Sequence, residues 1–462
     1  MSVFDLPMAH YQVVENHQGD LAVWPVSLVL PQGWQVRFSS DSTPSLSPAV
    51  LPGASNDAQN EPLPYKACCM KFIAQQSLGS DSQADVVMNI PSVNKPSSDQ
   101  EATMLSSLQP AAQGITALFD HYDLVGLSEM HWHPAVIAAF TDLLRSDELA
   151  AVVDDIVVEF GNAAYQSVVD EYVAGAPVPE TELVKAWQNT LNFVVWQPSG
   201  YQQLFKMVRQ LNQQRPKSQQ LRIVLAEPAF DWAQIKQPSD WQALQAARDQ
   251  GYYQRIELEV LNKGRKGLMI FGGYHLTRQP VSRNRAKQVA SANTETPAQK
   301  TSNSVMAVKA TLGELLAEKQ PGRSYMLWTT DILQFELRHR LLSTPSHNVE
   351  PSYVWPQVIA SEQGWLGALP FAALNADLPV QTLVSAEQVP PVNSMVEGVL
   401  FLSGLAREVK LPESVVADQA WLSTMWQRTE RLPKDFRQRL QSLLPDTSNV
   451  TDSQKNTATH SP

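Results

Sequence analysis

Glu129, His131, Glu159 and His275 are the residues of this chain whose types and surroundings best suit chemistry. Tyr122–Pro134 reads Y-D-L-V-G-L-S-E-M-H-W-H-P, so a short apolar run, Leu124 to Leu127, gives way at once to Ser128, Glu129, His131 and His133. A strand buried on both faces reads as continuous apolar sequence, and its exit is where a sheet presents side chains to a ligand. Polar and charged groups there are expensive to bury without a use. Other apolar runs end the same way. Asp155–Val158 leads into Glu159-Phe160-Gly161-Asn162, and Gly267–Phe271 leads into Gly272-Gly273-Tyr274-His275. Leu221–Leu225 ends in Glu227-Pro228 and then Asp231, and Tyr325–Trp328 ends in Thr329-Thr330-Asp331. His133, beside Pro134 and a helix start, reads as a rim residue rather than a ligand. His121 precedes its strand, and His339 falls in a charged helix pattern.

A set of two glutamates and two histidines admits three uses. As metal ligands, Glu129, His131, Glu159 and His275 suit a divalent ion such as Zn, Mn or Fe with an open position for water. Without a metal, His131 can deprotonate water while a carboxylate orients its ring and His275 or an arginine stabilises the oxyanion. The third use is binding without chemistry, for example haem ligated by a histidine or by Tyr274. The sequence has no Gly-x-Ser-x-Gly elbow, no phosphate-binding Gly-x-x-x-x-Gly-Lys loop and no Cys-x-x-Cys pattern.

The elements that must position these residues alternate in type. Helical patterns cover Ala112–Phe119, Pro134–Arg145, Ala164–Val173, Glu182–Asn192, Gly200–Asn212, Trp241–Leu261 and Lys309–Glu318. Pro134 suits a first helical turn, and Ser239-Asp240 suits a cap. Strands alternating with helices predict an α/β fold with a mostly parallel sheet flanked by helices, its ligand rim at the carboxyl ends of the strands. Pro345–Pro412 is expected to complete or cover the sheet, and Ser414–Leu444 to form one or two helices.

Residues 1–40 read differently, as a small β unit with strands at Tyr11–Glu15, Leu21–Val26 and Trp34–Phe38. Trp24 and Trp34 are a large apolar load for so short a segment and suit its core. Gln75–Ala111 is polar and reads as linker, with an apolar island at Val86–Ile90 that suits an edge strand.

The chain has 462 residues and a net charge of −11, which argues against a nucleic-acid surface. Cys68 and Cys69 are its only cysteines and are adjacent, so no disulfide framework is expected and a reducing compartment fits. No apolar run approaches the roughly 18 residues of a membrane span, and Met1–Tyr11 lacks a secretory pattern. The expectation is a cytoplasmic protein with no membrane or nucleic-acid partner.

The N-terminal segment resembles the MbtH-like family, small proteins that assist the adenylation domains of nonribosomal peptide synthetases. The resemblance rests on Phe4-Asp5, Asn16-His17-Gln18-Gly19, Ala22-Val23-Trp24-Pro25 and Pro31-Gln32-Gly33-Trp34, with Lys66–Ile73 similar to the family's following helix. Ala22 stands where the family has serine, and the terminal Trp-Thr-Asp-x-Arg-Pro element is missing. By this resemblance Trp24, Pro25 and Trp34 would form a cleft for an adenylation domain. The larger part resembles the erythromycin esterase/ChaN/TIKI superfamily at Glu129-Met130-His131, Glu159 and Gly272-Gly273-Tyr274-His275, with Ser128 where glycine is usual. That resemblance implies Glu129, His131, Glu159 and His275 as working residues. It also implies one of three activities: metal-free ester or lactone hydrolysis, metal-dependent peptidase action, or haem binding.

The expected organisation is an MbtH-like domain at 1–76 with an insertion at 39–64, a linker at 77–111 and an erythromycin esterase/ChaN-like domain at 112–412 with a polar insertion at 278–304. C-terminal helices at 413–445 and a disordered tail at 446–462 follow. The expected function is hydrolysis of an ester, lactone or amide, linked to nonribosomal peptide and secondary-metabolite synthesis. The alternative is a non-enzymatic binder of haem, iron or a metabolite, or an accessory protein of adenylation domains.

Overall fold

Apolar runs separated by amphipathic helices can bury both faces of a sheet, and this chain folds that way. The computed structural model describes residues 11–16, 21–25 and 34–39. It also describes residues 100–445 except 101–102, 105, 198–199, 280–308, 333–334, 336–355, 363, 375–389, 404 and 406–409. The chain divides into two compact units.

The first unit contains β1 (Tyr11–Asn16), β2 (Leu21–Pro25) and β3 (Trp34–Ser39), antiparallel in the order β2-β1-β3. All three strands lie within a residue of their expected bounds. Gln12 pairs with Trp24, Tyr11 with Pro25 and Asn16 with Trp34, and a bulge interrupts β1 against β3 between Val13 and Val14. The helix expected at Lys66–Ile73, the island Val86–Ile90 and both cysteines lie outside the described residues.

The second unit is built on an eight-stranded sheet in the order β4-β10-β11-β9-β5-β8-β6-β7. Its strands are β4 (Gln109–Pro110), β5 (Leu124–Glu129), β6 (Asp155–Asn162), β7 (Arg222–Glu227), β8 (Gly267–Gly272), β9 (Ser324–Asp331), β10 (Gln357–Ala360) and β11 (Gly398–Leu402). The neighbours from β11 to β7 are parallel, while β10 and β4 add an antiparallel edge. The stretch expected to complete the sheet therefore supplies β10 and β11.

From β5 the chain moves outward to β6 and β7, then returns to β8 and crosses β5 to β9. Right-handed crossovers put the helices of the two journeys on opposite faces. Helices α1 (Ala111–Leu118), α2 (Pro134–Leu143), α3 (Asp147–Val152), α4 (Gln166–Val173) and α5 (Gly200–Gln213) belong to the first face. Their core includes Phe140, Leu204 and Phe205 against Val125, Val158 and Ile270. The long helix α6 (Pro238–Glu259) covers the other face, where Tyr252 packs edge-on against Phe271 at 5.2 Å. Beside it lie α7 (Gly273–Leu276), directly after β8, and α8 (Leu312–Lys319). The side chains of β5, β6 and β8 thus leave the sheet at the switch point, where open α/β sheets bind ligands.

Two helix expectations change. Glu182–Asn192 breaks into Glu180–Leu183 and Lys185–Gln188, followed by a turn. The Thr190 hydroxyl donates to the Trp187 carbonyl, and the Asn162 amide donates to the Asn189 carbonyl, so those acceptors leave the helix ladder. The C-terminal stretch forms three helices, Glu413–Ala417, α9 (Gln419–Thr429) and α10 (Lys434–Leu443), with Pro412 and Pro433 at two of the starts. Among the described residues no helix is long and apolar enough to cross a membrane.

Candidate active site

Glu129 is the last residue of β5 and alternates with Val125 and Leu127 onto the first face. There the Tyr201 hydroxyl, from the first turn of α5, donates to its Oε1 at 2.7 Å. Oε2 pairs with Nδ1 of His131, in the turn that follows β5. The His131 ring also meets Trp196 edge-on at 4.8 Å, and its side chain is 34% exposed.

The turn is tight. Trp132, between the two histidines, has φ 70°, a left-handed conformation that costs a non-glycine residue roughly 1–3 kcal/mol. Burial holds it there, in a cluster with Phe193, Trp232, Trp421 and Met425 that ties the turn to α9. His133 is buried, and its Nδ1 lies 3.1 Å from the His131 carbonyl.

Glu159 leaves β6 on the opposite face. Its Oε2 accepts the Gly272 amide at 2.6 Å, and its Oε1 lies 3.4 Å from His275 Nε2 and 3.7 Å from Arg248 Nη1. His275 Nδ1 donates to Asp249 Oδ1 at 2.7 Å, and the same oxygen accepts the Leu312 amide at 2.9 Å. Gly272 is where the halves meet. A Cβ there would stand 2.9 Å from His131 Nε2 and 3.0 Å from Glu159 Oε2, so no larger residue fits without displacing them.

The structure therefore brings Glu129, His131, Glu159 and His275 together, with each histidine held by its own carboxylate. Burial alone would push the Glu159 carboxyl up, but His275, His131 and Arg248 hold it below the usual carboxylate range. Burial disfavours the charged His275 ring, yet Glu159 and Asp249 outweigh it and keep its pKa at about 9. For His131 the loss of water around its ring nitrogens opposes charge, and Glu129, helped by Glu159, more than offsets it, so its pKa is raised. Glu227, at the end of β7, is pushed up to about 8 by burial; Arg248 and the Leu191 amide, 3.0 Å from its Oε2, oppose this. Glu159 Oε1, Arg248 Nε and the Tyr252 hydroxyl are buried with no hydrogen-bond partner among the described residues.

The expected metal set is not assembled. Among the described residues no group of three or more His, Cys, Asp or Glu side chains could hold a metal ion. Both Nδ1 atoms, both Glu129 oxygens and Glu159 Oε2 are already engaged. Tyr274 packs edge-on against Trp328 at 5.7 Å, and His275 has Nδ1 on Asp249 and Nε2 beside Glu159. Two residues expected at the rim serve elsewhere. Asp231 is exposed and caps the turn at Trp232–Gln234, while Asp331 Oδ2 accepts the Leu405 amide. Ser128 accepts the Thr329 amide at 2.6 Å, fastening β5 to β9 where their pairing ends.

Sequence reasoning missed Tyr201, Arg248, Asp249 and Tyr252. One signal was present for Arg248: it sits four residues after Leu244 and four before Tyr252, on the stripe that Ile256 continues.

No curated protein sequence matches the chain. Among solved structures, a succinoglycan biosynthesis protein is similar at TM-score 0.43 and 7% identity, covering 67% of this chain and 97% of its own. An erythromycin esterase in its open conformation is similar at TM-score 0.41 and 11% identity, covering 66% and 97%. A Bacillus cereus protein is similar at TM-score 0.39 and 9% identity, covering 67% and 98%. At the other end of the chain, residues 1–45 match the family model of the MbtH-like proteins.

Proposed function

We propose that the α/β unit is a hydrolase of an ester, lactone or amide that works without a metal. The observation that carries this reading is the pair of carboxylate-held histidines, Glu129–His131 and Asp249–His275, facing one another across Gly272 and Glu159. With Nδ1 bound to Glu129, His131 has Nε2 available to take a proton from water as its oxygen attacks the acyl carbon. His275, charged below about pH 9, and Arg248 stabilise the oxyanion. His275 then gives its Nε2 proton to the leaving alkoxide or amine, and Glu159 holds the cationic ring beforehand. The test is a panel of activated esters and lactones with chelator-treated protein. Wild type is expected to turn over at least one, and His131→Ala to lose about 10³-fold in kcat, on the scale of general-base removal. Equal rates for the two would overturn the reading.

We further propose that residues 1–45 tether this hydrolase to an adenylation domain through Trp24, Pro25 and Trp34, so that its substrate is a nonribosomal peptide or related metabolite made in the cytoplasm. The family match supports this, as does the placing of both tryptophans on strands flanking β1. Copurification with an adenylation domain, lost on Trp24→Ala, is the expected result. No association with any such domain from the same genome would count against it.

A further inference from the structure

We infer that Tyr201 is a positioning residue, which fixes Glu129 so that His131 keeps its proton on Nδ1 and turns the Nε2 lone pair toward Gly272 and Glu159. The inference rests on the hydrolase reading for its consequence in catalysis, but not for the geometry. An ionised carboxylate accepts only, so whichever ring nitrogen faces Glu129 must carry the proton. That assignment holds only while the carboxylate stays in place. Glu129 has one oxygen on His131 Nδ1, and without a second anchor it could rotate about its terminal torsion, which is soft and broad. The Tyr201 hydroxyl supplies that anchor at 2.7 Å. Both residues are nearly fully buried, so water does not replace the bond readily.

The same short stretch of chain also fixes the imidazole. Trp196 meets the His131 ring at 4.8 Å and 90°, and packs on Tyr201 at 5.5 Å and 84°, while Phe160 closes the other side of Tyr201 at 4.6 Å. Trp196 and Tyr201 therefore act on the ring and on the carboxylate that orients it. A tyrosine serving only as core would do this packing equally well without its oxygen.

Tyr201→Phe separates the two roles, because it keeps the aromatic packing and removes the donor. Two readouts apply: kcat against KM on the best ester of the panel, and the His131 tautomer from ring-nitrogen NMR. The expected result is a kcat loss of about 10- to 100-fold with KM within about 2-fold, in the range for residues that orient a working histidine. The tautomer should shift from Nδ1–H to a mixture. In a Glu129→Gln background the same change should have no further effect on either readout. An unchanged tautomer and kcat, or an equal loss in both backgrounds, would overturn the inference. If wild type hydrolyses nothing yet the tautomer shifts, the hydrolase reading fails and this one stands. Should Tyr201→Phe not fold, a ring-fluorinated tyrosine at this position alters the donor alone, and no change in either readout is again the contrary result.

Discussion

Asp249 and His275 meet at 2.7 Å although one lies in the middle of α6 and the other in the short helix after β8. Asp249 is itself held by the amide that opens α8, so three elements of one face fix a single imidazole. Replacing Asp249 by Asn keeps the shape and removes the charge that holds the ring cationic. Asp249→Asn is expected to lower kcat by about 10- to 100-fold and to move the alkaline limb of the rate profile to lower pH. A limb that stays in place would show that Asp249 is only structural.

The pH–rate profile should be bell-shaped. His131 must be neutral to accept a proton, and its raised pKa places the acid limb above 6.5. His275 must be charged, so activity falls as pH rises through about 9. Glu159 stays ionised throughout, because its carboxyl is held low. A rate that keeps rising past pH 10 would contradict the role given to His275.

Glu227 makes a prediction about stability. Its pKa is raised from 4.5 to about 8 by burial, so the folded state holds a proton that the unfolded state has released between those values. Its favourable contribution is complete below pH 4.5 and lost as pH rises through about 8. Glu227→Gln keeps an acceptor for the Leu191 amide. The variant should melt a few degrees higher than wild type at pH 9 and about the same at pH 4.5. Equal melting shifts at both values would refute the assignment.

Trp132 offers a test of backbone strain. Its removal costs about 3–5 kcal/mol of packing, but the left-handed φ of 70° favours glycine over alanine. Trp132→Gly should therefore be less destabilised than Trp132→Ala in a denaturant melt, by about 1 kcal/mol. At an ordinary helix or strand position the order is the reverse.

Gly272 separates activity from stability. A methyl group there meets His131 Nε2 and Glu159 Oε2 at about 3 Å, and both are ends of side chains that can swing aside. Gly272→Ala is expected to lose about 100-fold in kcat, since ångström-scale misplacement has that effect, with little change in melting. Full activity would mean that the two groups need not be so close.

Much of this fold is legible in the sequence because strands buried on both faces leave unbroken apolar runs, as at Leu124–Leu127 and Gly267–Phe271. Their ends are less legible. Glu129, Asn162 and Asp331 are still inside their strands, because a sheet that carries a site ends in polar residues that look like loop. The four rim residues could be read from those ends. Their supports could not. Tyr201 lies 72 positions from Glu129, and no local pattern connects them. Arg248 and Asp249 sit in a helix that is polar over most of its length, where only the i, i+4 stripe through Tyr252 and Ile256 marks the buried side. For the metal reading, the sequence lists donors but not the partners that the fold gives them, such as Tyr201 and His131 on Glu129.

In the proposed hydrolase, His131 and His275 work as the two halves of one catalytic unit. The most direct test is kcat/KM on a single ester for His131→Ala, His275→Ala and the double variant in chelator-treated protein. Groups that act together are strongly non-additive, so the double variant should be about as slow as the slower single one. Two losses that simply add, or variants as fast as wild type, would contradict the account.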